Sequence, residues 1–158
     1  MKQDRFLIII LAGITLLVIS AFALFFLRQS QNQYAKDDTP AGVVQNYILA
    51  LHKADYPKAY GYLASGENKP TLDDFSRPFL TKMNDIDRTD VQIGETNMVG
   101  KNAVISITMT HFSDSPYDRY ESRDSALLEM ENGAWKIKQM PQPFWDYDWY
   151  HSTMNSGG

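Results

Sequence analysis

An uncharged run near the amino terminus constrains this chain more than any other feature. Residues 6–27 (FLIIILAGITLLVISAFALFFL) are 22 consecutive residues without Asp, Glu, Lys, Arg or His. An α-helix of that length is about 33 Å long, and the hydrocarbon core of a bilayer is about 30 Å thick. A helix is the one single segment that satisfies its own backbone there, so the run predicts a transmembrane helix.

Two other interpretations of the run compete with a transmembrane helix. The residues Ala21-Phe22-Ala23 resemble a small-x-small cleavage site behind a basic start, as in a signal peptide. The apolar stretch continues past that site, which favours a retained anchor. A buried helix of a globular domain is disfavoured, since such helices rarely exceed about 14 apolar residues without a polar face.

Charge suggests an orientation for the predicted anchor. Basic residues flank the run on both sides, so their count barely discriminates between the two orientations. Residues 29–158 carry 12 basic and 18 acidic side chains, a formal charge of −6. We therefore expect a bacterial single-pass cell membrane protein with residues 1–5 in the cytoplasm and an extracytoplasmic carboxy-terminal domain. The acidic balance also disfavours a nucleic-acid partner.

The rest of the chain predicts one domain behind a linker. Residues 28–38 (RQSQNQYAKDD) are polar and lack periodicity, which is typical of a tether. Residues 39–141 are enough for a single core, and the absence of cysteine means that packing must stabilise it.

Three helices are predicted at the start of this domain. Thr39 can cap a helix in which Pro40 takes the first position. A second short helix begins at Pro57, and a third begins at Thr71 and should bend or break at Pro78. Each start follows from a local capping or proline signal.

Alternating residues after these helices predict two hairpins. The second hairpin turns at Asn132-Gly133, a strong short-range signal. The four predicted strands are residues 91–98, 103–112, 123–131 and 134–140. The element order predicts an α+β domain in which three helices pack on a curved antiparallel sheet.

Two segments resemble the NTF2-like superfamily. They are residues 50–60 (ALHKADYPKAY), behind Thr39-Pro40, and residues 127–137 (LLEMENGAWKI). The resemblance covers residues 39–141 and is typical of exported, membrane-anchored bacterial members. It implies a cone-shaped domain, but the superfamily includes isomerases, dehydratases, ligand binders and accessory subunits, so it implies no single function.

Enzymes of that superfamily use an acid, sometimes with histidine and tyrosine, inside the cone. The candidates for a cone cavity here are Tyr47, His52, Tyr60 and His111. No buried acid is evident beside them, so the two histidines are expected to be structural or exposed, and no catalytic or cofactor-binding residue is predicted.

The sequence predicts no metal site. Histidines at 52, 111 and 151, without cysteine, give no close ligand pair. Residues 85–90 (DIDRTD) begin like a calcium loop but lack its glycine at the sixth position and its acid at the twelfth.

Aromatic residues are concentrated in the tail, residues 142–158, whose end from 152 to 158 is expected to be disordered. An extended tail would place three aromatic rings on one face. That stripe either packs back on the sheet and plugs the cone, or binds a partner, or lies at a membrane interface. The candidates for partner contact in the tail are Phe144, Trp145, Tyr147 and Trp149.

The predicted anchor carries a second candidate surface. Its small residues fall within one sector of about 100°, which would let another helix approach closely. These residues are Ala12, Gly13, Ser20 and Ala23. Together the features favour a non-enzymatic accessory or assembly subunit of a membrane protein complex. Its expected partners are the lipid bilayer, through residues 6–27, and other membrane subunits. The alternative is a small-molecule-binding or isomerase-like protein that uses the cone.

Overall fold

The computed structural model describes residues 2–30, 33–113 and 118–150, and the side chains of the first helix from residue 8 to 23. The chain divides into two compact units, Met1–Tyr34 and Ala35–Gly158. The elements are α1 (Lys2–Ser30), α2 (Pro40–His52), α3 (Tyr56–Gly61), α4 (Leu72–Leu80), a 3₁₀ turn (Ile86–Arg88), β1 (Thr89–Val99), β2 (Asn102–Phe112), β3 (Arg119–Glu131) and β4 (Ala134–Gln139). The predicted tail end, 152–158, lies outside the described residues.

The first unit corrects the prediction of a membrane span. Among the residues that the structure describes, no helix combines the length and the apolar character needed to cross a membrane. The predicted location in a bacterial cell membrane, with a cytoplasmic amino terminus and an extracytoplasmic domain, is wrong on this finding.

Capping residues determine where α2 begins and ends. Thr39 Oγ1 accepts a hydrogen bond from the Gly42 amide at 3.1 Å, and Pro40 opens the helix. At the other end Ala54 takes the left-handed conformation (φ 54°), and the Asp55 amide donates to the Ala50 carbonyl at 2.9 Å. This is a Schellman ending with alanine where glycine is usual, and it turns the chain into α3.

The other two helices also begin at side-chain caps. Asp55 accepts from the Lys58 amide at 3.3 Å, and Thr71 Oγ1 accepts from the Asp74 amide at 3.2 Å. Pro78 does not interrupt α4, which continues through it and ends two residues later, at Leu80. A proline this close to the end of a helix disturbs few of its backbone hydrogen bonds.

The four described strands form one antiparallel sheet in the order β1-β2-β3-β4. β3 begins at residue 119 rather than 123, because its first residues pair with the end of β2, where His111 lies opposite Tyr120. On the outer side of β4, the Ala64 amide donates to the Ile137 carbonyl at 2.8 Å. Helices followed by an antiparallel sheet confirm the predicted α+β class.

The core lies between α2 and one face of the sheet. From the sheet it contains Ile105, Ile107, Leu128 and Ile137, all at most 1% exposed. From α2 it contains Val44 and Tyr47, both 0% exposed. α2 contacts β1, β2 and β4, so the longest helix of this unit covers most of the sheet's width.

Candidate functional site

The interior between the helices and the sheet is filled by aromatic rings of the chain itself. The buried Tyr47 hydroxyl donates to the Phe144 carbonyl at 2.7 Å, and burial raises the pKa of this phenol well above its usual value. The Phe75 ring centroid lies 6.3 Å from that of Tyr47 and 4.9 Å from that of Trp149. Tyr47, a cone candidate, is thus part of a packed aromatic core.

Two other cone candidates lie in separate surroundings. Tyr60 is half-buried, donates from its hydroxyl to the Pro70 carbonyl at 2.9 Å, and has the Lys69 ammonium 4.4 Å from its ring centroid. His111 stacks on Tyr120 at the end of β2, with ring centroids 4.5 Å apart. The structure therefore does not bring the cone candidates into one site.

Hydrogen bonds hold the imidazole of His111 on both sides. Its Nε2 lies 2.9 Å from the Ser122 hydroxyl, and its Nδ1 lies 3.3 Å from the Thr89 hydroxyl. Thr89 is buried and Ser122 is half-buried. The histidine thus joins three neighbouring strands, β1, β2 and β3.

The tail candidates differ in accessibility. Phe144, Trp145 and Trp149 are at most 7% exposed and pack inside the domain, whereas Tyr147 is 45% exposed. The segment is a series of turns rather than an extended strand. In this conformation only Tyr147, among the four, presents a large surface to a partner.

The small-residue candidates all lie on exposed positions of α1. They are Ala12, Gly13, Ser20 and Ala23. The Ser20 hydroxyl donates to the Leu16 carbonyl at 2.8 Å, so it bonds within its own helix. Partner contact at these four residues stays a prediction.

His52, the remaining cone candidate, lies in an open cleft of about 270 Å³ where α2 and α4 end. The apolar part of the lining includes the buried residues Leu51, Phe79 and Ile86 and the exposed Leu80. Tyr56 lies beside them and stacks on Phe79, with ring centroids 6.2 Å apart and planes 14° apart. The cleft therefore combines an apolar floor with a partly exposed aromatic ring.

Both helix endings at the cleft use a left-handed residue that is not glycine. Ala54 follows α2 with φ 54°, and Lys82 follows α4 with φ 55°. Both residues line the cleft. Such positions carry backbone strain of about 1 kcal/mol or more, and strain of this kind concentrates at binding sites.

Polar groups surround the opening of the cleft. Asn84 donates from its side-chain amide to the Trp145 carbonyl at 3.3 Å, which ties this side of the cleft to the buried tail. Asp85 and Asp87 also line the cleft, immediately before and in the middle of the 3₁₀ turn. Asp85 forms an ion pair with Arg88 at 3.4 Å, within the segment that began like a calcium loop.

The surroundings of His52 lower the pKa of its imidazole. One side of the ring packs edge-on against Phe144, with centroids 6.1 Å apart, and this loss of water disfavours the charged form. The carboxylates of Asp87 and Asp90 oppose the shift without cancelling it. The shift favours the neutral form of the imidazole.

This shift predicts that His52 makes folding sensitive to mild acid. Its pKa is below 6.5 in the folded state, so the unfolded chain binds more protons, and stability falls as the pH drops through 6.5 toward the folded pKa. We expect His52→Gln to flatten the fall in unfolding free energy measured in urea between about pH 7.5 and pH 5. An NMR titration giving His52 a pKa of 6.5 or higher would contradict this prediction.

Sequence reasoning identified His52 but missed the cleft around it. Two exposed apolar residues were not candidates: Leu80, which lines the cleft and is 64% exposed, and Met83, which lies in the chain between two lining residues and is 78% exposed. The sequence features that could have indicated the cleft are the ends of two helices, since Ala54 and Lys82 each follow the last turn of a helix.

Comparisons with known proteins concern the fold. No protein-family model and no curated protein sequence matches this chain. Among solved structures, an NTF2-like protein of unknown function from Shewanella oneidensis is 13% identical, with 61% of this chain and 88% of that protein covered and a TM-score of 0.45. An NTF2-like protein from Burkholderia thailandensis is 12% identical, with 67% and 92% covered and a TM-score of 0.42. A ketosteroid isomerase-like protein from Erwinia carotovora atroseptica is 14% identical, with 60% and 85% covered and a TM-score of 0.38. NTF2-like proteins are thus among the structural neighbours of this chain.

Proposed function

We propose that this chain is a non-enzymatic accessory subunit that binds another protein through the cleft at the ends of α2 and α4. The observation that carries the proposal is a pair of exposed apolar side chains: Leu80, which lines a cleft with an apolar floor, and Met83, which lies in the chain between the lining residues Lys82 and Asn84. Exposed apolar groups that adjoin a concave surface with a polar rim are typical of protein interaction sites. In keeping with the sequence resemblance, we interpret residues 39–141 as an NTF2-like domain.

The packing of the tail supports recognition at the surface. Trp149 and Phe144 occupy the space that a ligand of the cone would need, and the Tyr47 hydroxyl holds the Phe144 carbonyl at 2.7 Å. A ligand would have to displace these rings, whereas the cleft is already open. Recognition through Leu80 and Met83 requires no such rearrangement.

Partner capture with two matched double variants tests the proposal. The full chain, immobilised, is used to capture binding proteins from an extract of the source cells, and these are identified by mass spectrometry. We expect Leu80→Ser with Met83→Ser to reduce binding of the purified partner by about tenfold or more, since hot-spot residues each contribute over 1 kcal/mol. The control, Met98→Ser with Val99→Ser, removes two similarly exposed apolar side chains (56% and 68% exposed) at the β1–β2 turn.

The two outcomes separate clearly. We expect a specific partner to be lost with the Leu80 and Met83 variant and retained with the control. Both variants should keep the wild-type melting temperature. Equal binding by the two variants, or no partner that distinguishes them, would refute the cleft as the contact surface.

The size of the cleft favours a second candidate, a small-molecule binder. Its volume of about 270 Å³ is close to the lower end of ligand pockets, about 300–1,000 Å³. This candidate predicts that a compound from a fragment screen shifts the NMR signals of His52, Tyr56 and Leu80, which line the cleft, without affecting Met83. The isomerase-like alternative places the ligand in the cone instead and requires Trp149 to leave its position.

A further inference from the structure

We infer that the cleft binds a basic side chain, lysine or arginine, that the protein partner presents next to an apolar residue. This inference rests on the proposed function and specifies the chemistry of the partner. Three independent features of the cleft point to a cation: its carboxylates, the helix ends that meet there, and the exposed part of an aromatic ring.

Carboxylates outnumber basic side chains in the described lining of the cleft. Asp85 and Asp87 line it from a single 3₁₀ turn, and Asp90 is close enough to affect the charge state of His52. The ion pair with Arg88 offsets the charge of Asp85, which leaves Asp87 as the principal contributor. Lys82 is the one Lys or Arg in the lining that the structure describes, and its exposed, flexible side chain can extend into water.

Two helix ends add partial negative charge at the cleft. α2 ends at His52 and α4 ends at Leu80, and residues of both last turns line the cleft. The carboxyl end of a helix carries roughly half a negative charge, so each of the two helices favours a cation at this position. An acidic or phosphorylated partner would be repelled there.

The aromatic ring and the apolar floor suit the rest of a basic side chain. Tyr56 is half-buried because Phe79 stacks against it, and it contributes to the wall of the cleft. A lysine or arginine placed over the face of such a ring is stabilised by the cation–π interaction. Its methylene groups can pack on Leu51 and Ile86, while a neighbouring apolar residue of the partner contacts Leu80 and Met83.

Peptides that differ only in charge test this inference. The probes are acetyl-Leu-Arg-Leu-amide and the same peptide with neutral citrulline in place of arginine, titrated into the full chain and followed by NMR. We expect the arginine peptide to shift the amide signals of His52, Tyr56 and Asp87, and to bind about fivefold or more tightly than the citrulline peptide. Its binding should weaken when the salt concentration is raised from about 0.05 M to 0.5 M.

Two charge variants complete the design. Asp87→Asn should weaken binding of the arginine peptide by about fivefold and leave the citrulline peptide unaffected. Glu95→Gln removes an exposed carboxylate from β1, which does not line the cleft, and should change neither. Equal binding of the two peptides, no shifts at the cleft, or no effect of Asp87→Asn would overturn the inference. The proposed function is judged separately, by the loss of the captured partner with the Leu80 and Met83 variant.

Discussion

Replacing Trp149 by alanine is expected to destabilise the domain by about 3–5 kcal/mol, the usual cost of removing a buried tryptophan. Trp149 is 7% exposed, and its ring centroid lies 4.9 Å from Phe75, 5.0 Å from Trp145 and 6.1 Å from Phe79. The variant loses these contacts and leaves a cavity, because three rings from two parts of the chain cannot all move into the space. Urea unfolding followed by far-ultraviolet circular dichroism measures the loss without relying on tryptophan fluorescence.

The same segment provides a matched control. Tyr147 precedes Trp149 by two residues, is 45% exposed, and should tolerate alanine to within about 0.5 kcal/mol. If the tail were an external stripe, both variants would be neutral for stability. A loss below about 1 kcal/mol for Trp149→Ala would contradict the packing described for this segment.

The parts of the fold that the sequence predicted depend on local chemistry. Thr39, Pro40 and Thr71 mark helix starts because a cap or a proline acts within one turn of its own position. Asn132-Gly133 marks a hairpin because both residues adopt positive φ, at 50° and 84°. Such signals need no knowledge of the rest of the chain, and they were enough to predict an α+β domain.

The parts that the sequence did not predict depend on distant contacts. The alternating aromatics near Tyr147 are equally compatible with an extended stripe and with a turn-rich plug, and the choice depends on the space left between α2, α4 and the sheet. Likewise, the additional residues at the start of β3 become a strand because β2 is there to pair with them. The cleft at His52 exists because two helices, distant in sequence, end at the same place.

Asn46 also has a role that depends on contacts outside its own helix and that the sequence did not predict. It is a polar residue among the apolar positions of α2, and it is 1% exposed. Its Oδ1 accepts from the Ala35 amide at 2.6 Å, and its Nδ2 donates to the Ala35 carbonyl at 2.9 Å and also to an oxygen of Asp37. One side chain thus satisfies both backbone groups of Ala35 and fastens to α2 a segment that the sequence suggested was linker.

Asn46→Ala is therefore expected to destabilise the domain by about 2–3 kcal/mol, since it leaves the partly buried N–H and C=O of Ala35 without these partners. Asn46→Asp should cost more at neutral pH, because a carboxylate would face both the Ala35 carbonyl and the Asp37 carboxylate. The difference between the two variants should shrink as the pH falls toward about 4, where a carboxyl group beside another carboxylate becomes protonated.

Urea unfolding at several pH values, with amide exchange at Ala35, measures both effects of the Asn46 variants. Gln45→Ala is the matched control, because Gln45 is the adjacent α2 residue, is only half-buried, and should change stability by less than about 0.5 kcal/mol. Amide exchange should accelerate at Ala35 in both Asn46 variants before the domain unfolds globally, because the fastening is local. If Ala35 keeps its protection in Asn46→Ala, or if the Asp variant is as stable as the Ala variant at neutral pH, the hydrogen bonds to Ala35 do not hold this segment on α2.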